Sequence, residues 1–327
     1  MRNKSLVFVL AVCVSFVAAQ AAHASLVPFQ IYVGNVGVST DGWGNASASS
    51  GTISASVPVG ATVVAAYLYS AYYDDNGGNA VAATLNGNAV AFGPKVPNAT
   101  DCCSLGSARA DVTSIVAPVI NGGPGGVYDF TVGEGNTSTQ DGEGLVVVYS
   151  LSSLPISTVG ILDGFSAVGG DTATMTFANP LDPTQSGFFA EMFLGDGFSC
   201  CSQSSTVKVD GITITTNAGN RDDSTDSFDV NGGLITVGGF DDPISGFLPS
   251  YADDHEHYSL TPEITKGDTS IVVNTNNPTS DDNIFLAVFH VTGEAGITTN
   301  PIPEPTTLLF LGTGLAGLAL GAWRRRK

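Results

Sequence analysis

Positive charge is scarce in this sequence. Only 11 Lys and Arg stand among 327 residues, against 30 Asp and Glu, for a formal net charge of −19. So little cationic surface excludes a nucleic-acid binder, which needs bases to neutralise phosphates. Charged residues of both signs reach only 13%, and hydrophobic residues reach 43%. That balance excludes charge-driven disorder. No sustained Ala/Leu/Glu/Lys density is present, so a long helical bundle is excluded too. G-x-S-x-G elbows, Walker loops and H-E-x-x-H motifs are absent, so no catalytic residue is assigned and the chain reads as a non-enzyme. What is abundant is glycine, 40 residues, with Thr, Ser, Val and Asn, the composition of short strands and tight turns.

The few bases are unevenly placed. Arg2, Lys4, Arg324, Arg325, Arg326 and Lys327 occupy the two ends. Residues 25–300 therefore carry 29 acids against five bases, a net of −24. Residues 1–24 read as a secretory signal, with Arg2 and Lys4 before an apolar core at Leu6–Ala19 and the small-x-small site Ala22-His23-Ala24. A signal peptidase would then leave Ser25 as the mature start. At the other end, Pro301-Ile302-Pro303-Glu304-Pro305 precedes the uncharged stretch Thr306 to Trp323 and the closing Arg324-Arg325-Arg326-Lys327. Eighteen residues at ~1.5 Å each give ~27 Å as a helix, enough to cross a bilayer core. The basic cluster would stay cytoplasmic and leave the body outside.

This tail resembles the PEP-CTERM sorting signal of Gram-negative bacteria, through Pro303, Glu304 and Pro305, the apolar span, and Arg324, Arg325 and Arg326. The resemblance implies processing by an exosortase-type enzyme near the Pro-Glu-Pro motif. It also implies transient inner-membrane anchoring by residues 306–323, then release or attachment at the cell envelope, outer surface or extracellular matrix. Proteins with this signal accompany exopolysaccharide and biofilm systems, so exopolysaccharide or other envelope components are the expected partners.

The body reads as all-β. Asn86-Gly87 lies between Ala80–Leu85 and Ala89–Phe92, and Asp210-Gly211 lies between Thr206–Val209 and Ile212–Thr216. Both dipeptides suit type I′ hairpins, whose central residues need positive φ. The order of apolar runs around the first hairpin (Thr62–Tyr69, then Tyr128–Val132 and Leu145–Tyr149) recurs around the second as Phe188–Leu194, Thr269–Val273 and Ile284–Val291. This predicts two tandem antiparallel β-sandwiches of jelly-roll type, at 25–156 and 157–296, between the signal peptide at 1–24 and a sorting tail at 297–327 with a transmembrane helix. The body also resembles the repeated β-sandwich modules of prokaryotic surface proteins.

Four cysteines follow the signal segment, as the adjacent pairs Cys102-Cys103 and Cys200-Cys201. An exported setting favours their oxidation. Three pairings are open, one closing each adjacent pair and two crossing between them. Crossed bridges, favoured because both pairs should cap equivalent ends, would stabilise by roughly 4–5 kcal/mol in the chain-entropy account.

Carboxylates gather in turns, and the 222–229 segment offers Asp222, Ser224 and Asp226 at alternating positions as calcium ligands. His255-Glu256-His257 could place two imidazoles on one side of a strand for a metal, with Asp253 or His290 as a third ligand. Glu134 and Glu143, each between glycines, are the carboxylates a polysaccharide hydrolase would have to use. Trp43, Tyr67, Tyr69, Tyr72 and Tyr73 are the aromatics a glycan-binding module would stack on sugars. The expectation is therefore an exported structural or adhesive protein of the cell surface. The alternative is a glycan- or calcium-binding module.

Overall fold

The computed structural model describes residues 25–73, 81–97, 105–167, 169–197, 205–219, 229–250, 254–276 and 283–301. The fold is mostly β. In chain order the first half contains β1 (Val27–Gly34), β2 (Val36–Trp43), β3 (Ser50–Val57), β4 (Thr62–Tyr73), β5 (Ala83–Leu85), β6 (Asn88–Val90), β7 (Val96–Pro97), β8 (Leu105–Asp111), helix α1 (Thr113–Ile120), β9 (Gly126–Glu134) and β10 (Gln140–Ser150). The second half contains β11 (Ser157–Asp163), β12 (Asp171–Phe177), β13 (Ala190–Gly197), β14 (Ser205–Val209), β15 (Ile212–Ala218), β16 (Ile235–Val237), β17 (His257–Ser259), a 3-10 turn (Thr261–Glu263), β18 (Ser270–Asn276), β19 (Asn283–Thr292) and β20 (Ala295–Pro301).

These strands pair into four sheets. The first inner sheet runs β2-β10-β4-β8-β7 and the first outer sheet β3-β9-β5-β6. The second inner sheet runs β1-β11-β19-β13-β16, with β17 also on β13, and the second outer sheet β15-β14-β18-β12-β20. All the named pairings are antiparallel. The order β2-β10-β4-β8 is repeated as β11-β19-β13-β17, and β3-β9-β5-β6 as β12-β18-β14-β15.

Three apolar layers hold the sheets together. Ile53, Phe130, Leu68, Leu145 and Val147 fill the first sheet pair. Met175, Met192, Ile271, Phe289 and Val291 fill the second. Tyr67, Tyr69, Val146, Val148, Ile161, Phe285 and Val288 lie between the two inner sheets. Inner strands are thus covered on both faces, which is why β10 and β19 read as unbroken apolar runs. Along β10, Leu145, Val147 and Tyr149 turn into the first pair while Val146 and Val148 turn to the layer between. Outer strands have one wet face and alternate, as β12 does with Ala173, Met175 and Phe177 inward. Each large side chain buried this way contributes about 1.5–3 kcal/mol.

Both hairpin dipeptides have the backbone their sequences ask for. Asn86 and Gly87 have φ of 49° and 74°, and Asp210 and Gly211 have 49° and 84°. The connections after β8 and β17 also match. Val112 N–H donates to Ala66 O, and Ala66 N–H donates to Thr113 Oγ1 at 2.9 Å. Likewise Leu260 N–H donates to Ala190 O, and Ala190 N–H donates to Thr261 Oγ1 at 3.2 Å.

The two end strands depart from the sequence-based division. β1 falls within 25–156 but pairs with β11, from the second half. β20 runs from Ala295 to Pro301, past the expected boundary at 296. The expected signal segment 1–24 and membrane helix 306–323 lie outside the described residues. Among the described residues, no helix is long and apolar enough to cross a membrane.

Candidate functional site

The two ends of the body meet at Asp171, the first residue of β12. Ser25 Oγ donates to Asp171 Oδ1 at 2.6 Å, and Leu26 N–H donates to Oδ2 at 3.3 Å. Ala167 N–H donates to Oδ2 at 3.0 Å, and Asp171 N–H donates to Thr275 Oγ1. Across the β12–β20 ladder, Asp171 stands opposite Pro301. Leu26 is only 3% exposed and packs into the second core. Two glycines make room for this junction. Gly164, at φ 134°, lets the Ser25 carbonyl approach its backbone, and Gly170, at φ 90°, lies against the Thr275 carbonyl. A Cβ at either position would meet those oxygens, so the turn needs glycine for both space and dihedral.

The chain beyond Pro301 has a recognisable character: residues 301–327 match the model of the PEP-CTERM protein-sorting motif. The tail is a PEP-CTERM sorting signal. It implies an exported protein, processed by an exosortase-type enzyme and sorted to the cell envelope. No curated protein matches this chain. Pro303, Glu304, Pro305, Arg324, Arg325 and Arg326 lie outside the described residues. The structure adds the point of departure, an edge strand of the second outer sheet, next to the residue where the mature chain is expected to begin.

Cys102, Cys103, Cys200 and Cys201 also lie outside the described residues. Their flanks are close. Gly197, the last described residue before the second pair, packs on Ala71, with 2.7 Å between the Ala71 Cβ and a Cβ built on the glycine. Ala71 pairs with Ser107, and Tyr73 pairs with Leu105, the first described residue after the first pair. Asp222, Ser224 and Asp226 are outside as well. Both borders of their segment are fastened, by Gly219 N–H donating to Glu256 Oε1 at 2.8 Å and by Asn45 Nδ2 donating to Asp229 O at 2.8 Å.

Other sequence expectations change. Trp43, Tyr67, Tyr69 and Tyr72 are 6%, 8%, 1% and 3% exposed, so they are core and offer no platform to a sugar. Tyr73 is half-buried and its hydroxyl donates to Ser138 O. The histidines do not converge. Glu256 has φ 51°, which breaks strand alternation between His255 and His257. His257 stacks on Phe193 at 4.4 Å and faces Glu191 at 3.8 Å, while His290 packs on Phe189. Pairing with His257 holds the Glu191 carboxyl below its ordinary value, and burial lowers His290. Among the described residues, no group of three His, Cys, Asp or Glu is placed to hold a metal.

Several carboxylates are instead buried, and two groups of them differ in how they are met. In the first pair, Glu143 is fully buried and its Oε1 accepts from Gln140 Nε2 at 3.0 Å and Ser70 Oγ at 3.4 Å. Glu143 Oε2 and both oxygens of Glu134 are buried without a hydrogen-bond partner among the described residues. Burial pushes Glu134 up to about 8. Burial, then the neighbouring Glu134, raises Glu143 well above the ordinary carboxylate range. These buried carboxylates do not present the open pair a bound sugar would require.

In the second pair, Asp254 is buried and hydrogen-bonded by hydroxyls. Thr215 Oγ1 donates at 2.5 Å, Ser245 Oγ donates at 3.2 Å, and Tyr258 O–H donates as well. Burial raises Asp254, and these donors oppose the rise. Neither Asp254 nor Asp171 stands out in the sequence as a site residue. Only the fold brings Thr215, 39 residues away, to Asp254, and Thr275, 104 residues away, to Asp171.

Proposed function

We propose that this chain is a structural or adhesive protein of the cell surface or extracellular matrix, linked to exopolysaccharide or biofilm, whose body is a tandem duplication of a jelly-roll-type sandwich. The observation that carries the sorting part is the PEP-CTERM match at residues 301–327. The duplication is supported by the repeated strand orders and by the equivalent Thr113 and Thr261 contacts to Ala66 and Ala190. In this account a signal peptidase removes residues 1–24, and the segment 306–323 anchors the protein in the inner membrane until the exosortase acts. The test is fractionation of cells making the full chain or a chain ending at Pro301. The full chain should reach the envelope surface or matrix, and the shortened one should lose that location. Equal distribution would remove the sorting claim.

Crossed disulfides between Cys102-Cys103 and Cys200-Cys201 belong to the same account, because Gly197 and Ala71 bring the flanks of both pairs together. Peptide mapping without reductant should recover a cross-linked peptide joining the two regions. Recovery of two separate vicinal rings would overturn it.

A second reading keeps calcium at Asp222, Ser224 and Asp226, favoured by the fastening of both borders of that segment. Calorimetric titration with calcium should give heat that Asp222→Asn with Asp226→Asn abolishes. Absence of heat in the unaltered protein would remove it.

A further inference from the structure

Asp171 is only 3% exposed, and its side chain is hydrogen-bonded by three neutral donors, Ser25 Oγ, Leu26 N–H and Ala167 N–H. Two of the three come from the first two residues of the expected mature chain. A buried carboxylate is best matched by a cation, because an ionised acceptor forms its strongest bonds with a charged donor. We propose that Asp171 is the receptor for the mature N-terminus: the α-ammonium that signal removal creates on Ser25 pairs with its carboxylate. The proposal rests on the Ala24–Ser25 cleavage reading.

The chemistry is hydrolysis of one amide. A signal peptidase and one water convert the Ala24–Ser25 bond into a carboxylate on Ala24 and an ammonium on Ser25, the second proton of water going to the nitrogen. The nitrogen is close by. Within a serine, N and Oγ are separated by about 3 Å, and Ser25 Oγ is 2.6 Å from Asp171 Oδ1. The new ammonium therefore starts within about 6 Å of the carboxylate. Leu26, held in the core, prevents the end from swinging away. The same residue stands opposite Pro301 in the β12–β20 ladder, so the latch would also brace the strand from which the sorting tail leaves.

Among the described residues, β12, β18, β20 and residues 165–167 carry only neutral side chains besides Asp171 itself. β13 and β19, whose Met192, Leu194, Ala287 and Phe289 line the same cavity as Asp171, carry Glu191, Asp196 and His290. β11 carries Asp163, opposite Val27, which is engaged by Arg109 and Tyr69. An unfolded α-amino group titrates near ~7.7–8.0. Pairing with Asp171 raises that value in the folded protein. The latch therefore contributes fully below about pH 7.7 and is lost as pH rises through the raised value.

The experiment compares the exported full-chain protein with a variant carrying Gly-Gly inserted between Ala24 and Ser25. The insertion keeps Asp171 but moves the ammonium about 7 Å along the chain and leaves an amide at Ser25. N-terminal sequencing should find Ser25 first in the unaltered protein. Its melting temperature should exceed that of the insertion variant by about 5 °C at pH 7, and the gap should close by about pH 10.5. Asp171→Asn should abolish the gap between the two starts. A start at Ser25 with equal melting curves at both pH values overturns the latch and leaves the sorting account intact. A start elsewhere overturns the latch together with the cleavage reading.

Discussion

The two sheet pairs repeat one strand order yet place their polar groups differently. Ala66 faces Val147 in the first pair and Ala190 faces Val291 in the second. Four residues further along the same strands, Ser70 faces Glu143 in one and Leu194 faces Ala287 in the other. On the neighbouring strand the exchange is reversed, with Ala110 beside Leu68 and Tyr258 beside Met192. The topology therefore tolerates a polar group at either place. Asp254 reaches three hydroxyl donors through Tyr258 and its neighbours. Glu143 reaches an amide and a distant hydroxyl with one oxygen, and beside it stands a second carboxylate. Burial raises both groups and hydrogen-bond donors oppose the rise at each, but Glu143 is raised further by Glu134 while Asp254 has three donors against the rise.

Substitutions that break this contrast should rank accordingly. Asp254→Ala leaves the Thr215, Ser245 and Tyr258 hydroxyls facing a void and should cost about 3 kcal/mol in denaturant unfolding. Tyr258→Phe removes one of the three donors and should cost about 1.5 kcal/mol. Gly87→Ala and Gly211→Ala should each cost about 1 kcal/mol, and equally, because both turns hold the same positive φ. Unequal losses would show that the two hairpins are not equivalent.

The smallest effect at acid pH is expected in the first pair. Glu143→Gln should change stability by less than about 0.5 kcal/mol at pH 5, where burial and the neighbouring Glu134 favour the neutral form of Glu143. The pH dependence is where it shows. Folded Glu134 and Glu143 hold protons that the unfolded chain releases near ~4.3. Stability should therefore fall as pH rises from there through about 8, where Glu134 ionises. Replacing both by Gln should flatten that decline over the same range, read from melting temperatures.

Much of the fold was legible because inner strands are apolar on both faces. Leu145–Tyr149 and Ile284–Val291 declare themselves as strands, and Asn86-Gly87 and Asp210-Gly211 declare their hairpins. β3, with Ser50-Gly51-Thr52-Ile53-Ser54-Ala55, and β12 are half-wet and built from small polar residues, so their alternation is faint. β1 and β20 pair with strands far away in sequence, and no local pattern encodes that choice. The sorting tail was legible as three unlike elements in order. The role of Asp171 was not, because one aspartate after two glycines looks like any turn until Ser25, Thr275 and Pro301 are brought beside it.

The central claim is that both ends are removed as addresses and the β body is what reaches the cell surface. The intact mass of the exported protein tests it most directly. The account predicts a chain that begins at Ser25 and ends close to Pro303-Glu304-Pro305. A surface protein whose mass still includes residues 306–327 would contradict it.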